Sequence, residues 1–196
     1  MTSKQSKKME ITGASFSIHI MSDDFKQVIK DALAETDATN VWLKTDDVST
    51  TIRGKIMHVF DVTKAVLYYA SESGHHVSFH ATYSFGCPGD SAGDTYLATH
   101  EHPVNIQKMR STPHYAAAKF SLYPLTGAAY MNTIYEKIEA MKEYVQVIPV
   151  HYATKLEGDL LTIFAGLEKI FQETMEQEAG HTVMTVDVSV NSPSHD

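Results

Sequence analysis

The sequence predicts an α+β chain made of two tandem units. Each runs strand, helix, strand, strand, helix, strand, with a four-stranded antiparallel sheet carrying both helices on one face. Two observations carry this. Apolar residues alternate between period two and period 3.6 in the same order twice along the chain. The chain also matches itself at a shift of about 104 positions, which is the mark of a duplicated unit. The shift lays Phe16-Ser17-Ile18 on Phe120-Ser121-Leu122 and Thr50-Thr51-Ile52-Arg53-Gly54 on Thr154-Lys155-Leu156-Glu157-Gly158. It also lays Phe60 on Phe164, and one further position brings Pro88 onto Pro193.

In the first unit, Phe16, Ile18 and Ile20 alternate with Ser17, His19 and Met21, as in a strand with two different faces. Ser22-Asp23-Asp24 supplies capping and acidic first-turn residues for a helix striped by Phe25, Val28, Ile29 and Leu33. Val41-Trp42-Leu43 and the run from 48 to 52 read as short strands around the turn Thr45-Asp46-Asp47. A second helical stripe, Ile56, Val59, Phe60, Thr63 and Leu67, precedes a long strand over 77–85. The second unit repeats this order. It has a strand over 120–123, a helix over about 128–143, strands near 145–148 and 151–156, a helix over 159–178 and a strand over 182–190. Layers of this kind bury the helix-facing side of each sheet.

The boundaries follow from the punctuation. Residues 1–10 read as a flexible leader, 11–90 as the first repeat, 91–117 as a connection rich in Gly, His, Pro and Ser, and 118–194 as the second repeat. The turn signals Gly86-Cys87-Pro88-Gly89-Asp90 and Asn191-Ser192-Pro193 close the two units.

A chain of 196 residues with 43% hydrophobic and 20% charged residues has the material for a packed core and excludes a predominantly disordered chain. The formal charge of −8 is the wrong sign for a protein held to nucleic acid or anionic lipid by its overall field. No apolar run has the length of a membrane span, so neither nucleic-acid binding nor direct membrane insertion is expected. With one cysteine, Cys87, an intrachain disulfide is excluded and a reducing cytoplasm is the expected compartment.

Period two sorts the side chains of each sheet. In the first unit Phe16, Ile18, Val48, Thr50, Ile52, Phe79, Ala81, Tyr83 and Phe85 face the helices. Ser17, His19, Trp42, Lys44, Asp47, Ser49, Thr51, Ser78, His80, Thr82 and Ser84 face away. The second unit presents Ser121, Tyr123, His151, Ala153, Lys155, Thr185, Asp187 and Ser189 on the matching face. Hydroxyls, imidazoles, a carboxylate and aromatic rings are an inventory for orienting a small heteroaromatic ligand. A merely solvated antiparallel sheet alternates in the same way.

Competing chemistry has weaker support. The 11 histidines include no HExxH and no paired-cysteine ligand motif, so no metal is expected. Gly86-Cys87-Pro88-Gly89-Asp90 requires only a turn, and Cys87 beside Asp90 or Asp94 is not read as a nucleophile. Ser17 and Ser121 have histidines within possible reach, but their spacing fixes no triad. No catalytic residue is assigned.

Three sets of residues in the first copy carry a family resemblance: those from Phe16 to Phe25, those from Val41 to Phe60, and Phe85-Gly86-Cys87-Pro88-Gly89-Asp90 with Gly93-Asp94-Thr95-Tyr96-Leu97. In the second copy it is carried by Phe120-Ser121-Leu122-Tyr123-Pro124, Val150-His151-Tyr152-Ala153 and the run from Met184 to Pro193. Together these resemble the YkoF family of bacterial thiamin and hydroxymethylpyrimidine binding proteins over nearly everything from Thr12 to Ser194. The resemblance implies tandem ACT-like, ferredoxin-like repeats, a homodimer, a cytoplasmic location and a link to a hydroxymethylpyrimidine uptake system. It also implies non-enzymatic binding of thiamin or its pyrimidine moiety at each repeat, with no other cofactor. The candidate ligand-binding residues remain those of the open face: Ser17, His19, Asp47, Ser49, Thr51, His80 and Thr82, with Ser121, Tyr123, His151 and Asp187. Sequence and family pattern meet at Ser17, Ser49, Ser121 and His151. Asp47 stands where the family can have histidine, as the counterpart of His151, so the two sites are expected to differ. An enzyme acting on thiamin or a related pyrimidine, using His, Asp and Ser for acid and base work, is the alternative.

Overall fold

A computed structural model of the chain describes residues 11–88, 93–109, 112–125, 130–178 and 180–195. The leader over 1–10, the end of the first turn at Gly89 and Asp90, and the start of the helix expected from Ala128 lie outside the described residues. The first repeat comprises β1 (Thr12–Ile20), α1 (Phe25–Glu35), β2 (Trp42–Thr45), β3 (Thr50–Gly54), α2 (Ile56–Ser71) and β4 (Val77–Phe85). The second comprises β5 (Tyr115–Pro124), α3 (Tyr130–Ala140), β6 (Gln146–Val150), β7 (Ala153–Asp159), α4 (Leu160–Glu178) and β8 (Thr182–Val190). Single 3₁₀ turns follow α3 at Met141–Glu143 and β8 at Pro193–His195. β5 begins at Tyr115, within the stretch read as connection.

The eight strands of the described residues join one antiparallel sheet in the order β2-β3-β1-β4-β8-β5-β7-β6, where the sequence predicts two separate sheets. β4 and β8 pair along their whole length, from Val77 opposite Val190 to Phe85 opposite Thr182. Ala81 lies opposite Val186, its counterpart in the duplicated unit, so a local two-fold passes between them. Pairing the two edge strands satisfies the N–H and C=O groups that each repeat alone would leave open.

The helices cover one face and build one core across both repeats. Phe60 on α2 stacks on Tyr83 with ring centroids 4.2 Å apart and an interplanar angle of 6°. It also lies 6.0 Å from Phe171 on α4. Tyr83 is fully buried, its hydroxyl is 2.9 Å from Thr63 Oγ1, and burial raises its pKa far above the ordinary value. Phe79 meets Phe164 at 6.2 Å.

Three residues expected to face inward are exposed, Val48, Phe25 and Leu33. Val48 is 84% exposed because β3 starts at Thr50, and Val48 belongs to the β2–β3 turn rather than to the helix-facing row. That turn is closed by Asp46, whose Oδ1 accepts the N–H groups of Val48 at 2.8 Å and Ser49 at 2.9 Å. These bonds, the one from Ser49 foremost, hold the Asp46 carboxyl below its ordinary range. On α1 only Ala32 is buried, whereas the stripe residues Phe25 and Leu33 are exposed and Val28 and Ile29 are half-buried against the core. The apolar stripe of α1 is therefore wider than the surface it covers.

Ahead of Tyr115 the connection contains no helix or strand among its described residues, yet it is tied to the first repeat by buried groups. Asp61 of α2, 1% exposed, accepts the backbone N–H groups of Val104, Asn105 and Ile106 and the side-chain amide of Asn105. Asn105 in turn donates to Asp37 O at 2.9 Å and accepts from Asp37 N at 2.8 Å. The Arg53 guanidinium donates to the carbonyls of Gly93 and Asp94.

Candidate functional site

The duplicated unit contains a duplicated gap in hydrogen bonding. β1 pairs with β3 from Thr12 opposite Gly54 to Phe16 opposite Thr50, and β5 pairs with β7 from Tyr115 opposite Asp159 to Phe120 opposite Thr154. Past those points β1 and β5 continue beside β4 and β8. Ser17 and Ser121 are the first residues beyond each split. Facing the split in each repeat is the tip of a hairpin, residues 46–49 in the first and His151-Tyr152 in the second.

In the second repeat the split opens a cleft of about 450 Å³ between the sheet and α3. Ser121, Tyr123 and Tyr152 line its sheet side, and Met131, Ile134, Tyr135 and Ile138 line its helix side. The hydroxyl of Ser121 donates to the carbonyl of Tyr152 at 3.3 Å, linking the strand to the hairpin tip. Tyr152 has φ of 66°, a left-handed conformation that costs a bulky side chain about 1 kcal/mol or more. Its side chain is fully exposed, and its ring centroid lies 6.2 Å from that of His151. In the first repeat the strand and the hairpin are linked by a different pair, Ser15 Oγ donating to Ser49 Oγ at 2.9 Å, two residues before Ser17. Asp47 lies exposed at the hairpin tip, whereas the neighbouring Asp46 carboxylate holds the turn.

The sequence candidates therefore fall into three places. Ser17, Asp47 and Ser49 gather at the first split, and Ser121, Tyr123 and His151 at the second. Thr51 lies opposite Ser15 and His19 opposite Ser78, on the strands flanking the first split. His80, Thr82 and Asp187 instead meet at the junction of the repeats. His80 Nδ1 is 2.6 Å from Asp187 Oδ1, and Thr82 stands opposite Thr185. A shallow pocket of about 210 Å³ lies beside this pair, lined by Ser78, Lys119, Lys155 and Ser189 among others. Lys155 is ion-paired with Glu157 at 2.5 Å. Among the described residues, no group of three or more His, Cys, Asp or Glu side chains is placed to hold a metal ion. No helix among them is long and apolar enough to cross a membrane.

Tyr152 and the cleft-lining residues of α3 were not among the candidates. Met131, Ile134, Tyr135 and Ile138 do carry a signal in the sequence, the spacing of one helix face, but such a stripe reads as packing. Tyr152 reads as part of a strand, and only the two-residue hairpin reveals its position.

Fold and site together define a tandem-repeat α+β protein of ferredoxin-like topology, with a polar strand split at matching places in the two repeats. The model of the YKOF-related family matches residues 11–90 and again 115–195, and the chain belongs to that family. It is 44% identical over 185 residues to a Bacillus subtilis (strain 168) protein named "Putative HMP/thiamine-binding protein YkoF", an alignment that covers 94% of this chain and 92% of that one.

Proposed function

We propose that the chain binds thiamin or its hydroxymethylpyrimidine moiety without chemical change, one ligand at the strand split of each repeat. The observation that carries this reading is the repetition of the split itself, with Ser17 and Ser121 at equivalent positions beside the exposed hairpin residues Asp47 and His151. The name of the Bacillus subtilis relative points to the same ligands. An aminopyrimidine offers an exocyclic amino donor and ring-nitrogen acceptors, which a carboxylate or carbonyl and a hydroxyl or imidazole can satisfy. The first site uses Ser17 and Asp47 with Ser49, His19 and Thr51 nearby. The second uses Ser121 and His151 with Tyr123. The carboxylate and the imidazole make the two sites unequal.

Asp47→Ala is expected to weaken the first site and His151→Ala the second, each by about 1–3 kcal/mol, or about five- to 150-fold in affinity. Calorimetric titration of the native chain and both variants reads this through stoichiometry and separate constants. One site per chain, or unchanged affinities in both variants, overturns the assignment. Recovery of the ligand with unchanged mass separates binding from turnover.

The proposal extends to the assembly. The sheet face opposite the helices is uncovered in the single chain, and its rows of half-buried Ser and Thr suit a second copy related by a two-fold. Sedimentation at micromolar concentration should therefore give a dimer, and a species of only 21.8 kDa opposes it. A cytoplasmic location and service to hydroxymethylpyrimidine uptake complete the reading, both supported by the family resemblance.

A further inference from the structure

The two splits are equivalent in backbone but not in what surrounds them. At a shift of 105 positions the inward-facing Val28, Ile29 and Ala32 of α1 fall on Thr133, Ile134 and Lys137 of α3, so Lys30 occupies the place of Tyr135. The strand registers place His19 where Tyr123 stands and Val48 where Tyr152 stands. Three tyrosines thus line the second cleft, and none of the three has an aromatic phenol as its counterpart in the first repeat.

Tyr152 adds a second observation. A tyrosine at φ of 66° is conformationally unfavourable, and its fully exposed side chain gains no burial in return. Glycine or asparagine would occupy that position at lower cost. Among the described residues the ring meets only the neighbouring His151 ring, at 6.2 Å, which does not offset that cost, whereas a ligand in the cleft beside it would.

We infer that the second cleft is a tyrosine enclosure for a quaternary heteroaromatic cation, with Tyr123, Tyr135 and Tyr152 supplying ring faces and Tyr152 acting as its lip. The inference rests on the ligand reading above and deepens it. The second site prefers intact thiamin, whose thiazolium ring carries a fixed positive charge, over the neutral hydroxymethylpyrimidine. The first site, with an ammonium on Lys30 and an alkyl group on Val48 at the matching positions, has no such preference.

The test uses the full chain carrying Tyr152→Gly, titrated calorimetrically with thiamin and separately with hydroxymethylpyrimidine, and unfolded thermally without ligand. Expected are an equal or higher melting temperature and a loss of about five- to 30-fold in thiamin affinity at the second site. Hydroxymethylpyrimidine affinity should change by less than about two-fold, because a neutral ring lacks the charge term. Tyr152→Asn, which also tolerates the left-handed turn, repeats the measurement if the glycine variant does not fold. Thiamin affinity unchanged at the second site, or equal losses for both ligands, overturns the enclosure while leaving the ligand reading intact. A native chain that binds neither ligand overturns both.

Discussion

Asp61→Ala is expected to lower the free energy of unfolding by about 3–5 kcal/mol. The carboxylate is buried and accepts four N–H donors, three of them on Oδ2 at 3.1, 2.9 and 2.8 Å and the fourth on Oδ1 at 3.1 Å. Removing it strands those donors at the seam between α2 and the connection, where the cost is desolvation without a partner. Asp61→Asn should fall between the two. Its amide oxygen can take the place of Oδ2, but its NH₂ then faces the N–H of Ile106, donor against donor. Urea unfolding measures the loss, and limited proteolysis should show cleavage moving to the neighbourhood of residues 103–109. A loss below about 1 kcal/mol for the alanine variant would show that the connection is held by other contacts.

The same clamp shows why part of this fold is readable in the sequence and part is not. β4 and β8 are legible to the residue because period two runs without interruption from Val77 to Phe85 and from Thr182 to Val190. Their pairing with each other is not legible. Backbone hydrogen bonds leave no side-chain signature, and Ala81 and Val186 would suit an edge as well as a centre. From that one omission follows the reading of His80 and Asp187 as members of separate sites, when the strand register puts them face to face. The connection looked unstructured because it has no period. Its order comes instead from Asp61, Arg53 and His58, three polar residues of the first repeat whose distant partners no local pattern reveals.

The site divides in the same manner. Ser17, Ser121 and the Asp47 and His151 positions were visible because duplication marks equivalent places twice. The cleft wall on α3 is hidden in the sequence because a cleft-facing stripe and a core-facing stripe have one spacing. Tyr152 was hidden because a positive φ at tyrosine runs against its propensity, and the strand pattern absorbed it. A sequence reading fails most readily where the chain departs from local preference, which is where function and strain concentrate.

Fusion of the sheets has a consequence for stability that separate repeats would not have. Phe60→Ala is expected to cost about 3–5 kcal/mol, from lost burial, the cavity left behind and the lost stacking on Tyr83. Phe60 belongs to the first repeat, but it also touches Phe171 of the second, and Tyr83 approaches that same ring at 6.2 Å. The cavity therefore opens under the β4–β8 seam rather than within one repeat. Chemical denaturation should show one transition, displaced as a whole, because neither repeat keeps its paired edge or its half of the core when the other unfolds. Fluorescence of Trp42, in the first repeat, and far-ultraviolet circular dichroism, which sums both repeats, should give the same midpoint. Two separated transitions, with Trp42 following only the earlier one, would mean that the repeats unfold independently and that the seam transmits little. A single transition displaced by less than about 2 kcal/mol would mean that α4 and the sheet close over the vacated space.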